Sequence, residues 1–182
     1  SNDKKQAVNY LSKFSNLTRT ILEMTEKEFI SVADEITTMS LYLDIEKARF
    51  DKDFEYEIIT VNSADLEHEK IPAMLLQPYV ENAVKHGLLH KSGFKKVTIL
   101  FEKVTDKIKI EIEDNGIGRT KSAELNDIKN KKHNSFATKA MQNRIDLLNE
   151  NKTHKITINF IDKENQSKQA MGTTVIIAIP IQ

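Results

Sequence analysis

The stretch from Gln77 to Gly87 reads Gln-Pro-Tyr-Val-Glu-Asn-Ala-Val-Lys-His-Gly. On a helix, successive residues turn by about 100°. Leu76, Tyr79, Val80, Ala83 and Val84 then fall within an arc of about 140°, an apolar side suited to a core. Glu81, Asn82, Lys85 and His86 fall in a similar arc on the other side. One helix face therefore offers a carboxylate, an amide oxygen, an ammonium and an imidazole. Hard oxygens suit Mg²⁺ and a cation suits phosphate. Read alone, the same spacing also describes an ordinary amphipathic helix with a solvated face.

A second group, Asp114-Asn115-Gly116-Ile117-Gly118, follows directly on a strand pattern ending at Glu113. Two glycines at i and i+2 let backbone approach a ligand closely or adopt positive φ. Asp114 at the strand end offers an acceptor for an exocyclic amine or a metal. A simple Asn-Gly turn would look alike. An EF-hand is rejected, because the twelfth residue counted from Asp114 is Leu125 where calcium needs a Glu. A third group, Gly172-Thr173-Thr174, opens the last strand and by itself says nothing.

In this order, separated by strands, the three stretches resemble the N box, G1 box and final Gly-Thr motif of the GHKL superfamily, whose members bind ATP in a Bergerat fold. The run from Ile71 to Gly87 looks like the corresponding helix of LytS-type sensor histidine kinases. Tyr42-Leu-Asp-Ile-Glu-Lys-Ala-Arg-Phe50 is similar to the segment preceding the catalytic domain in that family, as is Tyr10-Leu-Ser-Lys-Phe14 followed by Thr18-Arg19. The resemblance covers roughly residues 5 to 180.

The resemblance implies roles. Asn82 would coordinate Mg²⁺, and Glu81 would act as general base or orient an acceptor imidazole. Lys85 and His86 would line the phosphates of ATP. Asp114 would accept a hydrogen bond from the adenine amine, Gly116 and Gly118 would admit backbone close to the nucleotide, and Thr173 would support the Asp114 end. Residues 119–134 would form a mobile lid. The implied activity is transfer of the ATP γ-phosphoryl to a histidine, for relay to an aspartate of a response regulator. A homodimer through the helical region, and a parent protein held in the inner or cell membrane by upstream helices with this part in the cytoplasm, are implied in the same way.

Two departures stand out. Where the family carries a Gly-x-Gly motif closing the lid, this chain has Asn134-Ser135-Phe136-Ala137-Thr138. None of His68, His86, His90, His133 or His154 stands in the family's His-Phe-Leu-Phe-Asn-type acceptor setting. The acceptor is therefore expected upstream, and self-phosphorylation at the usual site is not expected of these residues. A GHKL-type ATPase or serine kinase is the enzymatic alternative. A catalytically silent dimerisation or signalling module is the other, motivated by Ser135 and Ala137.

The elements that must position these residues follow from periodicity. Leu11, Phe14, Leu17, Ile21 and Met24 form a narrow stripe on one helix. After a break near Lys27, Ser31 with Asp34 three residues on reads as the N-cap of a second helix ending near Phe50. Phe54, Tyr56 and Ile58 alternate as a strand, as do Val97 to Phe101 and Ile108 to Ile112, with a hairpin turn at 104–107. Ile71-Pro72 precedes a long helix to about Leu89, 124–134 reads as a loop, and 137–150 as a helix. Ile156 to Phe160 reads as a strand, and Thr173 to Ile181 as a last strand, central and buried on both faces.

The expected fold is a two-layer α/β sandwich, a mixed and mostly antiparallel sheet covered by helices. Residues 1–50 would be a helical linker or dimerisation segment, and 51–182 the ATP-binding domain.

Composition sets the bounds. The 182 residues carry 27 basic and 27 acidic side chains and no cysteine. That excludes disulfides, Cys-ligated zinc and thiol chemistry. Zero net charge gives no argument for nucleic acid. The longest uncharged stretch, 170–182, has 13 residues, short of the roughly 20 a membrane span needs.

Overall fold

The computed structural model describes residues 2–50, 53–61, 63–129 and 133–181. Helix α1 (Asn2–Thr25) leads to a short strand β1 (Phe29–Ser31) and helix α2 (Val32–Phe50). The Asp34 N–H donates to Ser31 Oγ at 3.1 Å, so Ser31 caps α2 as its position suggests. The α1 stripe divides. Leu17 and Met24 are buried, whereas Leu11 and Phe14 stay exposed.

Strand β2 (Phe54–Val61), helix α3 (Ser63–Leu66) and strand β3 (Lys70–Pro72) follow. β1 and β3 pair antiparallel, from Phe29 opposite Pro72 to Ser31 opposite Lys70, and tie the helical segment to the rest. This small sheet was not foreseen, because three-residue strands are too short to show a period.

Helix α4 (Gln77–Asn82) continues into a π-helical turn, Ala83–Leu88. The helix begins at Gln77 and not directly after Pro72. Residues 73–76 form a turn in which Met74 takes φ +61°. Strands β4 (Lys95–Val104) and β5 (Lys107–Asp114) make the expected hairpin.

Residues 119–129 form helix α5 (Arg119–Lys129), where a loop was expected. Its Arg, Lys, Ala, Glu and Leu residues are good helix formers, and this propensity outweighs the missing apolar period. Helix α6 (His133–Leu148) and strands β6 (Thr157–Glu164) and β7 (Ala170–Pro180) complete the chain.

The main sheet has the order β2-β4-β5-β7-β6. β2 pairs parallel with β4, and the other pairs are antiparallel. β7 is internal, but only one of its faces is fully covered: Ile177 and Ile179 are buried while Ile176 and Ala178 are half-exposed.

One row of side chains fixes the geometry that matters. Ile108, Ile110 and Ile112 are buried on the core face of β5, and by the two-residue period Asp114 is next in that row. Opposite them Val97, Ile99 and Phe101 of β4 are fully buried. Each such burial contributes about 1.5–3 kcal/mol, so the register is strongly held. A carboxylate is thereby carried into a place built for apolar groups.

Candidate functional site

Asp114 is 4% exposed. Its Oδ1 accepts the Gly116 N–H at 2.7 Å, and its carboxylate also accepts the Thr173 backbone N–H. Burial pushes the carboxyl up to about 6. The two N–H donors and the Lys163 charge pull the other way, and the Glu113 charge adds to the rise. Near neutrality the group is therefore an ionised, pre-oriented acceptor.

Three glycines close around it. A Cβ at Gly87 would lie 2.8 Å from Asp114 Oδ1. One at Gly116 would lie 2.3 Å from the Gly87 carbonyl oxygen and 2.6 Å from Asp114 Oδ1. One at Gly172, where φ is +121°, would lie 2.0 Å from the Asp114 carbonyl oxygen. No side chain fits in any of these places.

Gly87 and Gly172 crowd this carboxylate, and the spacing of chemistry-bearing residues does not point to them. Both stood inside quoted motifs, and the signal was that a chain with only five glycines spends them there. Gly118 differs: its φ of +78° turns the loop into α5, whose Ser122 N–H bonds the Gly118 carbonyl at 3.1 Å.

The π-helical turn is what brings α4 to this carboxylate. The Leu89 N–H reaches the Val84 carbonyl at 3.0 Å, one residue further than in an α-helix. The widened turn presents the Gly87 carbonyl to the Ile117 N–H at 3.0 Å. Asn115 does not face the site. Its Oδ1 accepts the Lys96 N–H at 2.8 Å and its amide donates to the Phe94 carbonyl at 3.2 Å, pinning the loop to the start of β4. Lys91 Nζ donates to the Asn115 carbonyl at 2.5 Å and secures the same loop.

On α4 the apolar side is as expected, with Leu76, Tyr79, Val80, Ala83 and Val84 all buried. On the other side Glu81 has both oxygens engaged, by Gln77 Nε2 at 2.8 Å and by Lys85 Nζ at 2.5 Å. Asn82 is exposed. His86 is half-buried, and burial together with the charges of Lys85 and His90 lowers its pKa.

Two groups thus form. Asp114, Gly116 and Thr173 converge on one carboxylate, and Glu81 with Lys85 forms an ion pair beside Asn82. The π-helical turn connects the two groups.

Residues at the α5 end anchor that helix to the sheet edge. Arg119 donates twice to Asp162 at 2.7 Å and lies 4.9 Å over the Phe160 ring, which in turn meets Tyr79. Ser135 and Ala137 fall on the helical backbone of α6, and their side chains, like that of His133, lie outside the described residues. His68, His90 and His154 are exposed.

The residues present fit a Mg-nucleotide. An oriented carboxylate suits an exocyclic amine, and Glu81 and Asn82 supply hard oxygens. Among the described residues no three His, Asp or Glu side chains converge into a cage of their own. Mg²⁺ accepts such a site, since it is commonly held by one or two protein oxygens with phosphates and water completing the shell.

A family model described as histidine kinase matches residues 1–54. Sensor histidine kinase BtsS of Escherichia coli is 38% identical over 117 residues, 63% of this chain and 19% of BtsS. Sensor protein LytS of Staphylococcus haemolyticus is 27% identical over 118 residues, 64% of this chain and 20% of that protein. Over these stretches the chain is similar to sensor histidine kinases. It spans about a fifth of the length of these relatives.

Among solved structures, the histidine kinase domain of a blue-light activated kinase from Erythrobacter litoralis matches with TM-score 0.58 at 13% identity, covering 94% of this chain and 75% of that one. Histidine kinase ThkA in complex with response regulator protein TrrA matches with TM-score 0.53 at 16% identity, covering 96% of this chain and 49% of that one. The fold is therefore the one these histidine kinase structures share. Among the described residues no helix is long and apolar enough to cross a membrane.

Proposed function

We propose that this chain is the ATP-binding catalytic domain of a LytS-type sensor histidine kinase, with residues 1–50 as its helical linker and dimerisation segment. The observation that carries the reading is the buried Asp114 carboxylate, held by two backbone N–H groups among three glycines at the end of β5. Homology to sensor histidine kinases supports it.

In this reading Asp114 accepts the adenine amine, with Thr173 and Gly116 holding the carboxylate in place. Asn82 offers its amide oxygen to Mg²⁺. Lys85 and His86 line the phosphates, and Gly116 and Gly118 let backbone run close to the nucleotide. Mg-ATP supplies the γ-phosphoryl group and the charge neutralisation it needs. Glu81 polarises an acceptor imidazole by taking its proton. That acceptor is a histidine other than the five in this chain, and the phosphoryl group then passes to a response regulator aspartate. The parent protein works as a homodimer held in the membrane by other segments.

The reading is tested by competition of ATP and ITP for the chain, with and without Mg²⁺, beside an Asn82→Ala variant. Inosine lacks the exocyclic amine that Asp114 would receive. ATP should bind about tenfold or more tightly than ITP, since a hydrogen bond to a charged acceptor contributes about 1.5–3 kcal/mol. Asn82→Ala should remove the Mg²⁺ dependence. Equal binding of both nucleotides, or no binding of either, would overturn it, and the latter would favour a silent signalling module.

A further inference from the structure

Helix α4 starts without a side-chain cap of its own. Leu76 at the N-cap position has no side-chain oxygen to offer, and Pro78 stands in the first turn. The approach is strained as well: Met74, two residues earlier, holds a φ of +61° that residues other than glycine rarely adopt. The first N–H groups of a helix have no partner inside it, and the helix dipole favours a carboxylate beside them. This end must be held from elsewhere in the molecule.

The holding group comes from α2. Glu35 is 1% exposed, and its Oε1 accepts the Leu76 N–H at 3.3 Å across 41 residues of chain. The base it reaches from is fixed at both ends. The Val32 and Ala33 N–H groups donate to the Glu69 and Glu67 carbonyls at 2.9 and 3.2 Å. Further along α2, Asp44 accepts Lys13 Nζ of α1 at 2.7 Å and the Tyr56 hydroxyl of β2 at 2.5 Å. What Glu35 grips leads straight to the site. Gln77, next to Leu76, donates from Nε2 to Glu81 at 2.8 Å, and Asn82 lies six residues beyond Leu76, about 9 Å along the helix axis.

The grip has room to move. Among the described residues four buried side-chain polar atoms have no hydrogen-bond partner: Glu35 Oε2, the Tyr42 hydroxyl, Glu46 Oε2 and Gln77 Oε1. The first three fall within about 40° of one another around α2, and the fourth belongs to the first residue of α4. Unmet bonding capacity thus marks the seam that Glu35 and Leu76 close. With Oε1 bonded and Oε2 bare, the Glu35 carboxylate can pass the Leu76 N–H from one oxygen to the other and follow a small movement of α4.

We propose that Glu35 is a positioning residue for the metal half of the nucleotide site: from α2 it caps α4, and so fixes where Asn82 stands to receive Mg²⁺. The proposal rests on the reading of Asn82 given above. Asp114 takes its place from β5 and from the Gly116 and Thr173 N–H groups, so the adenine half depends less on Glu35.

The test compares the parent chain with Glu35→Leu, which has neither acceptor nor buried charge, and Glu35→Gln, which keeps an acceptor oxygen. Amide hydrogen exchange at Leu76, and calorimetric affinity for ATP with and without Mg²⁺, are read on each at one pH. Glu35→Leu should exchange the Leu76 amide about tenfold faster and lose about tenfold in Mg-ATP affinity, with metal-free ATP affinity kept within about twofold. Glu35→Gln should stay within about threefold of the parent in all three readings. A Leu76 amide as protected in Glu35→Leu as in the parent, an unchanged Mg-ATP affinity, or an equal loss of Mg-ATP and metal-free ATP affinity would overturn the proposal. Should Glu35→Leu not fold, Glu35→Asp, which draws the carboxylate back by one methylene, is read against the same expectations. Failure of the parent to bind ATP in either form would instead sink the nucleotide reading, and exchange at Leu76 would still decide whether Glu35 caps α4.

Discussion

The end of β5 and the seam between α2 and α4 both bury carboxylates, and they treat them differently. Asp114 has two backbone N–H donors, and the three glycines around it leave no room for a side chain at their positions. Glu35 has one long hydrogen bond from Leu76, a bare second oxygen, and three more unpaired polar atoms along the same seam. Each unpaired buried group costs about 1–3 kcal/mol. The first region is finished in the form observed and suits recognition of a fixed chemical group. The second keeps unmet bonding capacity, which suits a joint that changes partners.

The largest break in this contrast should come from Gly172→Val. A side chain there meets the Asp114 carbonyl at 2.0 Å from a φ of +121°. Strain and overpacking together should cost about 4 kcal/mol, read by chemical denaturation, with nucleotide binding lost. A variant within about 1 kcal/mol of the parent would mean that the finished region can give.

The seam is probed next by pH. Burial pushes the Glu35 carboxyl up from 4.5 to about 7, against the Leu76 N–H and the Arg144 charge. A folded pKa above the unfolded one gives stability that is complete below about 4.5 and lost as pH rises through about 7. The loss should be on the order of 3 kcal/mol. Glu35→Gln should flatten that slope in melts from pH 4.5 to 8, and an unchanged slope would count against the seam's description.

At the other region the same property acts on the ligand. As Asp114 protonates below about 6, Mg-ATP affinity should fall by about tenfold per pH unit. Binding that is flat between pH 7 and 5 would mean the carboxylate is not the acceptor. The smallest effect belongs to Ser31→Ala, which removes the α2 cap and should cost about 1 kcal/mol while leaving nucleotide affinity unchanged.

Much of the fold was legible in the residues. The two-residue period of β4 and β5 and the apolar side of α4 came through directly, because burial on one face selects side chains in a regular pattern. The Ser31 cap did so because its oxygen has one local partner to find. The β1–β3 pair did not, since it joins residues 39 to 43 positions apart in a chain where neither strand is long enough to signal itself. The π-helical turn was hidden because an ideal 100° wheel has no room for the extra residue that puts Gly87 against Asp114. Helix α5 was hidden because its apolar residues are too few to mark a face. At the site, Asp114 could be picked out by type and position, whereas the crowding of Gly87 and Gly172 around it is a property of three elements meeting and has no local pattern.

The most direct measurement is calorimetric titration of the chain with Mg-ATP beside Asp114→Asn, which keeps the shape and removes the charge. The account predicts Mg²⁺-dependent binding by the parent, weakened about tenfold or more in the variant at an unchanged melting profile. Equal affinity in the two chains would contradict it, because the one buried carboxylate on which the nucleotide reading rests would then have no part in recognition.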